Sequence, residues 1–133
     1  MARVLAPGGR IAIWEPDFDA LMVDSDDLAI AAAVRKHLTA GLRNPDIGRR
    51  LRRLVLDAGL DLVELSSTVR PVATLQNADN QLHVFAALDA AVAASDIGPE
   101  AAAAWRAWLE QVDARGQLFI AAVGFLTVAT KSS

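Results

Sequence analysis

The sequence predicts an α/β domain in which strands alternate with pairs of helices. Three observations point there. Short apolar runs rich in β-branched residues occur near the start, in the middle and at the end of the chain. Stretches between them repeat apolar residues at the 3.6-residue period, and Pro/Gly clusters separate the two kinds of segment.

Pro7-Gly8-Gly9 is a turn, because proline fixes the first corner and glycine accepts the positive φ that follows. Arg10–Glu15 then reads as a short strand ended by Pro16. Ile11, Ala12, Ile13 and Trp14 are apolar in succession, which suits a strand covered on both faces. Asp17–Asp24 reads as a connection, with Asp24, Ser25 or Asp26 placed to cap the next helix. In that helix Ile30, Ala31, Val34, Leu38 and Leu42 form one stripe, and Gly41 and Pro45 close it. A second helix carries Ile47, Leu51, Leu54, Val55 and Ala58 on one face and Arg49, Arg50, Arg52 and Arg53 on the others. Gly59 supplies its left-handed terminal residue.

Leu60–Val72 alternates as a strand, with Leu62, Glu64, Ser66 and Thr68 on one side and Val63, Leu65 and Val69 on the other. A helical segment over 78–94 directs Leu82, Phe85, Ala86 and Val92 to a core. Ser95–Pro99 breaks it, and Pro99 suits the first turn of a last helix. There Ala101, Ala104, Trp105, Trp108, Leu109 and Val112 keep the helical period up to Gly116, and the tryptophans read as core. Leu118–Ala129, nearly all apolar, reads as a strand buried on both faces. About four helices and three strands are expected.

At 133 residues and 53% hydrophobic content, the expectation is a single domain. A formal net charge of -3 gives no field that would gather nucleic acid or an acidic membrane. Cysteine is absent, and His37 and His83 lie far apart in sequence, so no metal site is expected. The longest apolar run, Leu118–Leu126, falls short of the ~20 residues of a membrane-spanning helix, and no signal-like start is seen, so a cytoplasmic location is expected.

Three segments together resemble the C-terminal half of class I S-adenosylmethionine-dependent methyltransferases, most nearly the type 11, ubiquinone-biosynthesis-like branch. RVLAPGGRIAIWEPDF, Arg3–Phe18, is similar to the turn that enters the family's fifth strand. IGRRLRRLVLDAGL, Ile47–Leu60, is similar to the helix and turn before its sixth. GFLTVATK, Gly124–Lys131, resembles its seventh. The resemblance implies a partial Rossmann-like sheet, with the last strand central and antiparallel between the other two. It also implies S-adenosylmethionine as methyl donor and a small-molecule acceptor. The sequence holds no Gly-x-Gly, so the donor-binding loop expected after the family's first strand is absent, and no residue of this chain is assigned to the cofactor. Activity is therefore not expected from this chain alone.

By position in that resemblance, Glu15, Asp17 and Phe18 follow the first strand at the end where open α/β sheets place ligands. They are read either as lining an acceptor pocket or as solvated turn residues. His37, near Arg43 and Asn44, is either a pocket residue or a helix-surface histidine. His83 is assigned to a core edge. The arginines of the second helix read as a solvated face, since no aromatic residues interleave them to stack bases. Asp24, Asp26 and Asp27 lack the spacing of a calcium loop and read as capping residues. An unpaired outer edge on the first strand makes Ile11, Ile13 and Trp14 interface candidates. They would serve a homodimer, or the missing N-terminal half if an upstream frame supplies it and Met1 is an internal start. The alternative reading is a non-catalytic dimerisation or subunit-interaction module.

Overall fold

The structure, a computed structural model, describes residues Ala2–Ser132; Met1, and with it any reading of the start residue, lies outside the described residues. Three strands and five α-helices follow a short 3-10 turn: β1 (Arg10–Val23), α1 (Leu28–Ala40), α2 (Ile47–Asp57), β2 (Asp61–Val72), α3 (Leu75–Leu82), α4 (Val84–Ala93), α5 (Pro99–Ala114) and β3 (Ile120–Thr130). The sheet order is β1-β3-β2, so the last strand is central. Backbone bonds from Gly8 to Lys131 and from Asp24 to Phe119 pair opposite ends of β1 and β3, making them antiparallel. Ser132 reaches Asp61, which places the end of β3 beside the start of β2 and makes that pair antiparallel as well. The chain divides into two compact units. A sheet unit runs to Ala20, takes in Asn44–Arg70 and resumes at Ala122; a helical unit comprises Leu21–Arg43 and Pro71–Ala121.

In the sheet unit, α2 covers one face. Val55, Leu60 and Ala129 form its buried cluster, with Ile11, Ile13, Leu62, Ala2 and Leu5 packed around them. Alternation along the strands sends Trp14, Val63, Leu65 and Val69 to the opposite face, where each remains more than two-fifths exposed. Two glycines allow the close approaches of this unit. A Cβ on Gly48 would meet the backbone of Glu15 and Pro16 and the ring of Phe125, so α2 can lie against the sheet only without a side chain there. A Cβ on Gly124 would fall inside the indole of Trp14.

Pro16 does not end β1, which continues to Val23. The reason is that β1 is an edge strand. Phe18 N–H points to the carbonyl of Pro45 rather than into the sheet, and alternation puts Pro16 on the same outer side, where no ladder bond is lost. β1 spends fourteen residues where β3 spends eleven, so the pairing takes up extra residues on β1, and the Asp17–Asp24 stretch expected as a connection is largely strand.

In the helical unit, α1 lies along α4, and α3 and α5 pack against α4 and each other. Ile30, Val34, Leu75, Ala78, Val84, Leu88, Ala91, Trp105 and Leu109 are buried. Three expectations are corrected here. The cap of α1 is Asp27, whose carboxylate accepts from Ala29 and Ile30 N–H, each at 3.0 Å, rather than Asp24, Ser25 or Asp26. The segment expected as one helix over 78–94 is two. His83 adopts the left-handed conformation at φ 55° between α3 and α4, and Asp79 bridges the break by accepting from His83 N–H through its carbonyl and from Phe85 N–H through its side chain. The split gives five helices rather than about four. No helix among the described residues is long and apolar enough to cross a membrane.

Candidate functional site

Two constellations of charged side chains stand out, one in each unit. In the helical unit, α1 brings His37 to its last turn. Its partner comes from the turn after α4. Ser95 takes φ 61°, and the N–H groups of Ser95, Asp96 and Ile97 fold back onto the carbonyls of Val92 and Ala91, which fixes where the Asp96 side chain starts. One carboxylate oxygen of Asp96 then meets Lys36 Nζ at 2.8 Å and His37 Nε2 at 2.7 Å. The Lys36 and His37 hydrogen bonds, in that order, hold the Asp96 carboxyl below its ordinary range.

Beside this pair lies a cavity of about 210 Å³ lined by His37, Leu38, Leu82, His83, Ala86, Ala87 and Ala90. Alanines at three wall positions of α4 leave the room, and the αL turn at His83 places a second imidazole on the same space. The arrangement is an imidazole tethered at one ring nitrogen by a carboxylate, beside an open depression lined by leucine, alanine and a second histidine. Its chemical capacity is proton transfer to or from a bound hydroxyl or amine. No group of three His, Cys, Asp or Glu side chains able to hold a metal ion occurs among the described residues.

In the sheet unit, Asp17 on β1 is 1% exposed and carries a fork from Arg49 of α2, with Nε at 2.5 Å from one oxygen and Nη2 at 2.7 Å from the other. Arg49 Nη1 also approaches Asp19 at 3.4 Å. The hydrogen bond to Asp17, ahead of the neighbouring charges, raises the Arg49 pKa above its ordinary value. Asp17 also accepts from Ala20 N–H at 3.1 Å. A buried carboxylate satisfied in this way anchors α2 to the irregular part of β1.

The sequence-derived residues fall as follows. Glu15 and Phe18 are half-buried on β1, and Phe18 N–H donates to Pro45 O at 2.8 Å. Asp17 sits in the ion pair just described rather than in a solvated turn. Arg43 is exposed in the helical unit; Asn44 is exposed in the sheet unit and accepts from Ile47 N–H at the start of α2. Ile11 and Ile13 pack into the α2 cluster, whereas Trp14 faces the open side of the sheet. Of these residues, His37 alone lines a described cavity in the helical unit. Asp96 and His83 were missed as site residues. His83 is 46 positions from His37 in sequence, and nothing in the local pattern of either signals that α1 and α4 run side by side.

No family model matches the chain. An uncharacterized 37.1 kDa protein in transposon TN4556 of Streptomyces fradiae is 39% identical over 131 residues, a match covering 96% of this chain and 36% of that protein. The chain thus spans about a third of the length of the relative.

Proposed function

We propose that this chain is the C-terminal portion of a class I methyltransferase fold, which moves a methyl group from S-adenosylmethionine to a small-molecule acceptor only when joined to a donor-binding half. The observation that carries the reading is the strand order: the resemblance implies a central, antiparallel last strand, and β3 lies between β1 and β2 with that direction. The open outer edge of β1 and the open face around Trp14 support it, because both are surfaces that further strands and helices of a larger sheet would cover. The test is a chimera in which the donor-binding half of a class I methyltransferase is fused ahead of Arg3. Calorimetry is expected to show micromolar binding of S-adenosylmethionine to the chimera and none to the chain alone. Donor binding by the isolated chain, or a folded chimera indistinguishable in affinity from the unfused donor half, would overturn the proposal.

The same open face also favours a second reading, a non-catalytic module that forms a homodimer. Trp14 of β1 and Val63, Leu65 and Val69 of β2 are exposed apolar side chains that alternation places on this face. Sedimentation distinguishes the readings: a concentration-dependent dimer abolished by Leu65→Lys favours the module, and a monomer at high concentration removes it.

A further inference from the structure

We infer that the helical unit carries a binding cleft for an organic ammonium cation, separate from the His37 cavity and independent of the methyltransferase reading. The cleft lies where the N-terminus of α1 meets the flank of α5. It has a volume of about 250 Å³ and is lined by Asp26, Asp27, Ile30, Trp105 and Trp108, with Ala101 and Ala104 leaving the space. Two carboxylates and two indoles on one concave surface form the combination that recognises a cation with apolar substituents. The partly exposed indole of Trp108 attracts positive charge and accepts methyl or methylene groups, the buried Trp105 backs the cleft, and the carboxylates supply the counter-charge.

The Trp105 ring is held rather than loose. Trp105 is buried and donates through Nε1 to Ser25 Oγ at 2.9 Å. Ser25 Oγ in turn accepts from Asp27 N–H at 3.1 Å and donates to Asp27 O at 2.9 Å. One short network thus fixes both an indole and the backbone that presents the two aspartates. Trp108, one turn further along α5, is partly exposed beside it.

The charge balance favours a cation. One oxygen of Asp27 caps α1, so its negative charge offsets the partial positive charge of that helix end, and the Asp26 carboxylate remains in surplus. Among the described residues neither aspartate is in an ion pair. A bare metal ion fits poorly, since two carboxylates with an apolar floor offer too few oxygens, and no three-residue ligand group is found among the described residues. An ammonium bearing carbon substituents uses the indoles as well as the charge.

The test is the indole N–H region of the NMR spectrum of the intact chain, where three tryptophans give three signals. Choline chloride is the probe, and 3,3-dimethylbutan-1-ol, its uncharged isostere, is the control. Choline is expected to shift the Trp105 and Trp108 signals saturably and leave Trp14 in place, with the alcohol binding at least about tenfold more weakly. Asp26→Asn, at an exposed position outside the cap, is expected to weaken choline about fivefold with an unchanged spectrum of the free protein. Raising the salt concentration is expected to weaken it further. Shifts that rise linearly without saturating, equal binding of the alcohol, movement of Trp14 alone, or an Asp26→Asn variant with unaltered affinity would each overturn the inference.

Discussion

The indole of Trp14 lies across Gly124 on the open face of the sheet, in the volume that a side chain on Gly124 would fill. The contact joins the edge strand to the central one without help from any helix, and it explains why β3, otherwise mainly aliphatic and β-branched, contains a glycine. Gly124→Ala is expected to destabilise the protein by about 1–3 kcal/mol, as overpacking does. In a Trp14→Leu background the same change should cost less than half as much. Chemical denaturation of the four proteins of this cycle measures the difference. An equal cost in both backgrounds would place the strain elsewhere.

Removing the fork on Asp17 should be more damaging. Arg49→Ala leaves a buried carboxylate with the Ala20 amide and little else, and a loss of about 3 kcal/mol is expected. The value sits at the low end for a broken buried pair because Arg49 itself is half exposed and water can reach part of the gap. Arg49→Lys, which keeps the charge and loses the fork, should fall between wild type and alanine in urea titrations.

The Asp96 cluster makes a prediction about acid. Lys36 and His37 hold the Asp96 carboxyl below its ordinary value in the folded protein. A lowered folded pKa contributes stability at pH values above the unfolded value, about 3.9, and that contribution disappears as pH falls through the folded one. Asp96→Asn should therefore lower stability at neutral pH and flatten its decline below about pH 4. Melting temperatures of both proteins across that acid range provide the check; parallel curves would remove the linkage.

His83 occupies the left-handed region at φ 55°, where a β-carbon is unfavourable. His83→Gly is expected to raise stability by about 0.5–1 kcal/mol, and His83→Val to lower it by more than 1 kcal/mol. Thermal unfolding of the two variants tests this directly. If glycine destabilises instead, the His83 ring makes an interaction that outweighs its backbone strain.

Thr127 on β3 is fully buried, and its hydroxyl has no hydrogen-bond partner among the described residues. Thr127→Val keeps the shape and removes the stranded hydroxyl, so a gain of about 1 kcal/mol is expected from guanidinium unfolding. A loss would mean that the hydroxyl is solvated or bonded in solution.

Elements governed by local chemistry were legible in the sequence. The arginine-flanked stripe of α2, the left-handed Gly59 after it, Pro99 at the first turn of α5 and the apolar run of β3 each carry their signal within a few residues, and the structure has them close to the expected bounds. Pro16 misled because a proline ends a central strand but is tolerated on the outer side of an edge strand, and edge position is a property of the whole sheet. The break at His83 was hidden because a non-glycine residue in the left-handed region has no compositional mark; Asp79, whose side chain accepts from Phe85 N–H six residues later, was its trace in the sequence. The site geometry was the least legible. Asp17 with Arg49, and His37 with Asp96, are separated by 32 and 59 positions, and their meeting depends on how strands and helices pack.

The proposed function requires β1 to be the interrupted edge of a larger sheet. Amide hydrogen exchange along Arg10–Glu15, compared between the isolated chain and its fusion to a donor-binding half, tests that most directly. The outward-facing amides of β1 should exchange rapidly in the isolated chain and become protected by at least about tenfold in the fusion, with β2 unchanged. Exchange along β1 that is the same in both proteins would contradict the account.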